Sequence, residues 1–112
     1  MTFLDDIIFG VIYKVGTRGI GVKRIQKIFN MWAREYDHKQ FEDNTIIEDG
    51  LFGTKTGEAF RLYQFAKNLN VDGIAGRETL TSMLNFVLKR YDKWNGGEID
   101  LTEMDVPDLW AG

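Results

Sequence analysis

Apolar positions recur at helical spacing in four stretches of the chain. Residues 2–14 place Phe3, Leu4, Ile7, Ile8, Val11 and Ile12 on one helical face, the pattern of an amphipathic helix. Thr2 suits its N-cap and Asp5 and Asp6 its first turn, while Gly10 weakens it. The segment reads as an extra core helix or as a helix that docks on a partner, and the core helix is the simpler reading. A second stripe, Val22, Ile25, Ile28 or Phe29, Trp32 and Tyr36, predicts the next helix and makes Trp32 a core residue. Between the two, Gly16 to Gly21 is glycine-rich and reads as a flexible connector. It lacks the lysine and spacing of a phosphate loop. Asp37 to Thr45 is polar and predicts a loop. Further helices are predicted at about 54–68 and 77–92, and from Lys93 onward an acidic turn, a short segment and a tail. Pro107 is the only proline, so none interrupts these helices.

Two of the helical stretches are preceded by copies of one motif. Residues 49–56 read DGLFGTKT and residues 72–79 read DGIAGRET, sharing D-G-[LI]-x-G-x-x-T. Asp-Gly predicts a tight turn, with Gly50 and Gly73 at positive φ. Asp49 and Asp72 are expected to accept hydrogen bonds from amides of their own turns. Leu51 and Ile74 are expected to point inward, and Gly53 and Gly76 to stand at helix N-caps. Thr56 and Thr79 are expected to satisfy an orphan amide of the first helical turn. Asn68 falls where the intervening helix should end and tolerates a left-handed cap. The pattern first encodes two turn-helix units.

The ordered set of these blocks resembles the three-helix peptidoglycan-binding domains attached to cell-wall hydrolases. Val22, Ile25, Gln26, Phe29 and Asn30 match the family's V-x-x-L-Q-x-x-L-N helix. Asp49, Gly50, Phe52, Gly53, Thr56, Ala59, Phe60, Tyr63 and Gln64 match D-G-x-F-G-x-x-T-x-x-A-V-x-x-F-Q. Leu69, Asp72, Gly73, Ile74, Gly76 and Thr79 match G-L-x-x-D-G-I-x-G-x-x-T, with Asn68 in place of the family's glycine. The resemblance covers about residues 16–90. The chain departs from it in a longer connection over residues 31–48, in the N-terminal segment and in the acidic tail, and no catalytic domain is expected within these 112 residues.

Charge and composition narrow the alternatives. A net charge of -3, with no Lys/Arg run longer than two, argues against a nucleic-acid partner. Without cysteine there is no disulfide, thiolate nucleophile or Cys-based zinc site. His38, the only histidine, has no metal-ligand pattern around it and reads as a solvated loop residue. Ser82, the only serine, sits mid-helix beside Thr81, which makes a Ser-His-Asp triad implausible. A glycosidase needs two carboxylates across a cleft, and a small bundle leaves little chain to build one. Residues 92–103 resemble a degenerate EF-hand loop. Trp94 and Gly96 stand where oxygen ligands belong, so a Gly-Gly turn with incidental acids accounts for it better. MTFLDD lacks the basic start of a secretory signal, and no apolar run reaches membrane-spanning length.

The sequence thus predicts an all-α fold. Residues 1–15 form an N-terminal helix, 16–92 a three-helix bundle of the peptidoglycan-binding type, and 93–112 an acidic extension. No cofactor, metal or catalytic residue is expected. The resemblance implies noncovalent peptidoglycan recognition, of stem peptide or glycan, in a shallow groove beside the turns, with Arg18, Asp49, Phe52, Tyr63, Asp72 and Arg77 as candidate ligand-binding residues. Each has a structural role at least as plausible, Phe52 and Tyr63 most of all. The alternative is a phage tail or baseplate subunit that reuses the fold and docks on neighbouring proteins through residues 1–15 and 93–112. Trp110 is the best candidate there for an exposed anchor. Either way, the chain is expected to be made in the cytoplasm and to act at the cell wall or within a phage particle.

Overall fold

The computed structural model describes residues 3–36 and 45–95, with side chains to residue 89 except that of Tyr36. Four helices follow in order: α1 (Phe3–Ile8), α2 (Ile20–Tyr36), α3 (Thr54–Ala66) and α4 (Arg77–Asn95). The fold is all-α. His38, Trp110 and most of the calcium-loop-like segment lie outside the described residues. Asp92 to Asn95 of that segment are backbone of α4.

The bundle is held by the faces that the apolar spacing predicts. Both Ile28 and Phe29 of α2 are buried, with Val22, Ile25, Trp32 and Ala33. They meet Phe60 and Tyr63 of α3 and Leu80, Met83 and Val87 of α4. Ring packing ties the centre together. Trp32 and Tyr63 meet edge-on at 4.8 Å between centroids, and Phe52 stacks on Phe60 at 5.4 Å.

The N-terminal helix is shorter than its apolar pattern. It stops at Ile8 because Gly10 takes a left-handed φ of 70°. The Val11 amide then bonds the Asp6 carbonyl and the Gly10 amide that of Ile7, a Schellman termination. Asn68 ends α3 in the same way at φ 58°, with Leu69 bonded to Gln64 and itself to Phe65. Beyond Gly10 the chain becomes an extended strap. Tyr13 exchanges both backbone hydrogen bonds with Ala75, at 3.0 and 2.8 Å. Gly16 and Thr17 bond Phe52, and Gly19 bonds Gly50. The segment from Gly16 to Gly21, expected to be flexible, is therefore paired to the first Asp-Gly turn.

The strap is anchored to α2 by a buried polar cluster. The Tyr13 hydroxyl donates to Asp6 Oδ2 at 2.7 Å, and Arg24 Nη1 lies 3.6 Å from the same oxygen. Burial, and then the Asp6 carboxylate accepting its proton, push the Tyr13 hydroxyl above the ordinary tyrosine range. Gly21 makes room for this ring, since a Cβ there would fall 2.0 Å from the Tyr13 oxygen.

Each Asp-Gly turn is closed by one buried glutamine. Gln26 Nε2 faces Asp49 Oδ1, the Leu51 carbonyl and Thr56 Oγ1 at 3.0–3.2 Å, while its Oε1 accepts from the Gly50 amide. Gln64 repeats the arrangement on the second turn. Its Nε2 lies 3.0 Å from Asp72 Oδ1, the Ile74 carbonyl and Thr79 Oγ1, and its Oε1 accepts from the Asp72 and Gly73 amides. Three expectations are settled by this. Asp49 and Asp72 do accept the amides of Leu51 and Ile74, both at 2.9 Å. Thr56 and Thr79 turn their hydroxyls to the glutamines, not to an orphan amide. Leu51 and Ile74 point outward, 50% and 37% exposed, because their carbonyls face the glutamines. The following residues, Phe52 and Ala75, pair with the strap and enter the core.

The two turns should differ in tolerance. Gly50 has φ 76° and a Cβ there would lie 2.9 Å from the Gly19 carbonyl oxygen of the strap. Gly73 has φ 72°, but its nearest obstacle is the movable Arg61 side chain at 3.0 Å. Gly50→Ala is expected to cost roughly 2–4 kcal/mol and Gly73→Ala roughly 1–2 kcal/mol in urea unfolding. Equal losses would mean that the strap yields as easily as an arginine.

Candidate functional site

Two surface grooves flank the N-terminus of α3. One, of about 420 Å³, lies between the strap, α3 and the second turn, and its lining includes Lys14, Val15, Glu58, Arg61, Asp72 and Ile74. The other, of about 410 Å³, lies beside the first turn, with Ile46, Ile47, Asp49, Leu51 and Lys55 in its lining. Thr54 lines both, so the grooves meet at the first residue of α3. Exposed Val15 and Ile74 in one, and Ile47 and Leu51 in the other, give the combined surface apolar patches between charged groups.

Of the six residues singled out from sequence, only Asp49 and Asp72 line these grooves. Asp49 and Asp72 line one groove each, but their carboxylates are occupied by their own turns. The Leu51 amide, with Gln26 behind it, holds the Asp49 carboxyl below the usual carboxylate range. Arg18 bridges Leu51 through its backbone, and its exposed side chain belongs to the lining of neither groove. Arg77 donates from Nη2 to the Ile8 carbonyl at 3.1 Å, which ties α4 to the end of α1. Phe52 and Tyr63 are closed off from solvent, at 2% and 0% exposure, and a ligand reaches neither ring. Burial pushes the Tyr63 hydroxyl up to about 12, offset in part by its 2.8 Å hydrogen bond with Ser82. Both aromatic rings serve the core. Lys14, Thr54, Glu58 and Arg61 were not singled out. Nothing in the linear pattern brings the strap beside α3, because that approach depends on the backbone pairing of Tyr13 and Phe52.

The sequence pattern of the family described as "putative peptidoglycan binding domain" matches residues 21–83, more than half of the chain. The chain belongs to this family. The peptidoglycan-binding match runs from α2 through both turns into α4, so both glutamine-closed turns lie inside it. A solved structure is similar: a fused Zn-dependent amidase/peptidase/peptidoglycan-binding domain-containing protein from Clostridium acetobutylicum. It shares 28% sequence identity at a TM-score of 0.54, over 66% of this chain and 29% of its own. The chain therefore spans less than a third of that protein's length. No curated protein matches. Among the described residues, no three or more His, Cys, Asp or Glu are grouped to hold a metal ion, and no helix is long and apolar enough to cross a membrane.

Proposed function

We propose that this peptidoglycan-binding-domain chain is a noncovalent cell-wall binding module that adds no catalysis of its own. The observation that carries the reading is a pair of neighbouring grooves, one beside each family turn, that share Thr54 in their linings. They combine exposed apolar patches with charged groups on a frame fixed by buried hydrogen bonds, as a preorganised recognition surface requires. The site of action is the bacterial cell wall, reached either by a bacterial protein or by a phage particle.

Sedimentation with purified insoluble peptidoglycan tests this. Thr54 is exposed at the junction of the grooves, so Thr54→Trp obstructs both while leaving the core untouched. Wild type is expected in the pellet and the folded variant in the supernatant. Pelleting of both would move the binding surface elsewhere. Pelleting of neither, on several wall types, would end the wall-binding reading.

A second reading, a virion subunit that docks through its terminal segments, is favoured by one observation. Ile8, Phe9 and Ile12 stay exposed although α1 is packed on α4. This reading gains only if the wall fails to retain the protein, and Phe9→Asp would then have to abolish assembly into particles.

A further inference from the structure

The groove beside the second turn is lined by three charged residues besides Asp72, two cationic and one anionic. Lys14 enters from the strap, and Glu58 and Arg61 from successive turns of α3. Among the described residues, none of the three side chains has an ion pair or a hydrogen bond. The fourth charge, Asp72, is engaged: Oδ1 accepts from Gln64 and the Ile74 amide, and Oδ2 from Asn70.

The supports of these groups are fixed. Lys14 sits in a turn closed in both directions by Thr17, at 2.9 and 3.2 Å. Arg61 lies along the second turn, and a Cβ on Gly73 would come within 3.0 Å of its Nε and 3.3 Å of its Cγ. The glycine thus leaves room for the exposed Arg61 side chain to lie along the turn. Two cationic residues line one groove, Glu58 stands one helical turn from Arg61, and exposed Val15 and Ile74 belong to the same lining.

We infer that this groove reads the stem peptide of the wall polymer, with the peptide's C-terminal carboxylate held between Lys14 and Arg61 and its side-chain ammonium facing Glu58. The inference rests on the wall-binding reading and narrows it from glycan to peptide. Neutral sugar hydroxyls can hydrogen-bond to these three groups but bring no charge to offset theirs. A peptide with a free carboxylate, a free amine and small methyl side chains matches the charges and both apolar contacts. Arginine adds planar, two-point recognition of the carboxylate.

Amide NMR titration of the full chain distinguishes the possibilities. The probes are the synthetic pentapeptide L-Ala-γ-D-Glu-L-Lys-D-Ala-D-Ala, its C-terminal amide, and a chitin tetrasaccharide. The free acid is expected to shift amides of residues 14–15, 57–61 and 72–74. Amidation, or the paired change Lys14→Ala with Arg61→Ala at unchanged thermal midpoint, is expected to weaken it about tenfold. Equal affinity of acid and amide, or of variant and wild type, would overturn the assignment of the carboxylate. Shifts at these residues from the tetrasaccharide alone would overturn the choice of peptide. Insoluble wall that pellets the protein while the pentapeptide gives no shift would overturn this inference and leave wall binding standing. Failure of both experiments would remove the two together.

Discussion

Gln64→Leu is expected to lower the unfolding free energy by about 3–5 kcal/mol, although leucine nearly matches glutamine in volume and leaves no large cavity. Gln64 is fully buried; its amide serves the Gly73 amide and the Thr79 hydroxyl, and shares the Ile74 carbonyl with the Gly76 amide. A net hydrogen bond is worth about 1 kcal/mol, but each buried group left without a partner costs about 1–3 kcal/mol. The orphaned turn groups therefore dominate the loss. Gln64→Glu makes the sharper comparison. It keeps an acceptor for the Asp72 and Gly73 amides but turns a carboxylate toward Asp72 and the Ile74 carbonyl. Protonation restores a donor, so the fold raises the new group's pKa. The stability gained on protonation is present at low pH and lost as pH rises. Urea unfolding at pH 7 and pH 5 should show Gln64→Glu recovering part of its deficit at the lower pH. A Gln64→Leu loss under about 1 kcal/mol would mean that water replaces the side chain.

Asp6→Ala is expected to cost a similar amount, about 3–5 kcal/mol, for a different reason. Asp6 and Arg24 are both buried, 3.6 Å apart, and the Tyr13 hydroxyl closes on the same carboxylate oxygen. Removing the anion leaves the guanidinium in the interior without that charge. Replacing both residues, as Asp6→Ala with Arg24→Met, should recover part of the loss, because a buried guanidinium that has lost this carboxylate is costlier than no charge. Equilibrium unfolding of the two variants decides the matter. A double variant no more stable than Asp6→Ala would show that packing, not charge, sets the cost. Hydrogen exchange at the Ala75 amide should also quicken in Asp6→Ala, since Tyr13 holds that amide.

The helices and both turns were legible because each had a local cause. The stripe of α2 follows from side-chain spacing, and Gly50, Gly73 and Asn68 take the left-handed backbone their residue types permit. Gln26 and Gln64 were visible as matches to the family blocks. Their role was not, because a buried amide's partners lie across 23 or more residues in the first turn and eight to fifteen in the second. The strap was misjudged in both halves. Its first half carried a helical stripe that Gly10 overrides. Its second half was glycine-rich without being loose, since Gly16 and Gly19 donate to Phe52 and Gly50. The grooves followed from that same pairing and stayed hidden with it.

Helix α3 belongs to both turns at once. It starts directly after the first turn, where Gly53 is its cap, and it carries Gln64, which clasps the second. From Thr54 to Gln64 the rise is ~15 Å at 1.5 Å per residue. The two Asp-Gly turns are therefore set at a fixed spacing, like the jaws of a locked caliper. A ligand whose binding groups match that gauge meets both jaws with little reorganisation. One that is a residue too short or too long must give up contact at one end.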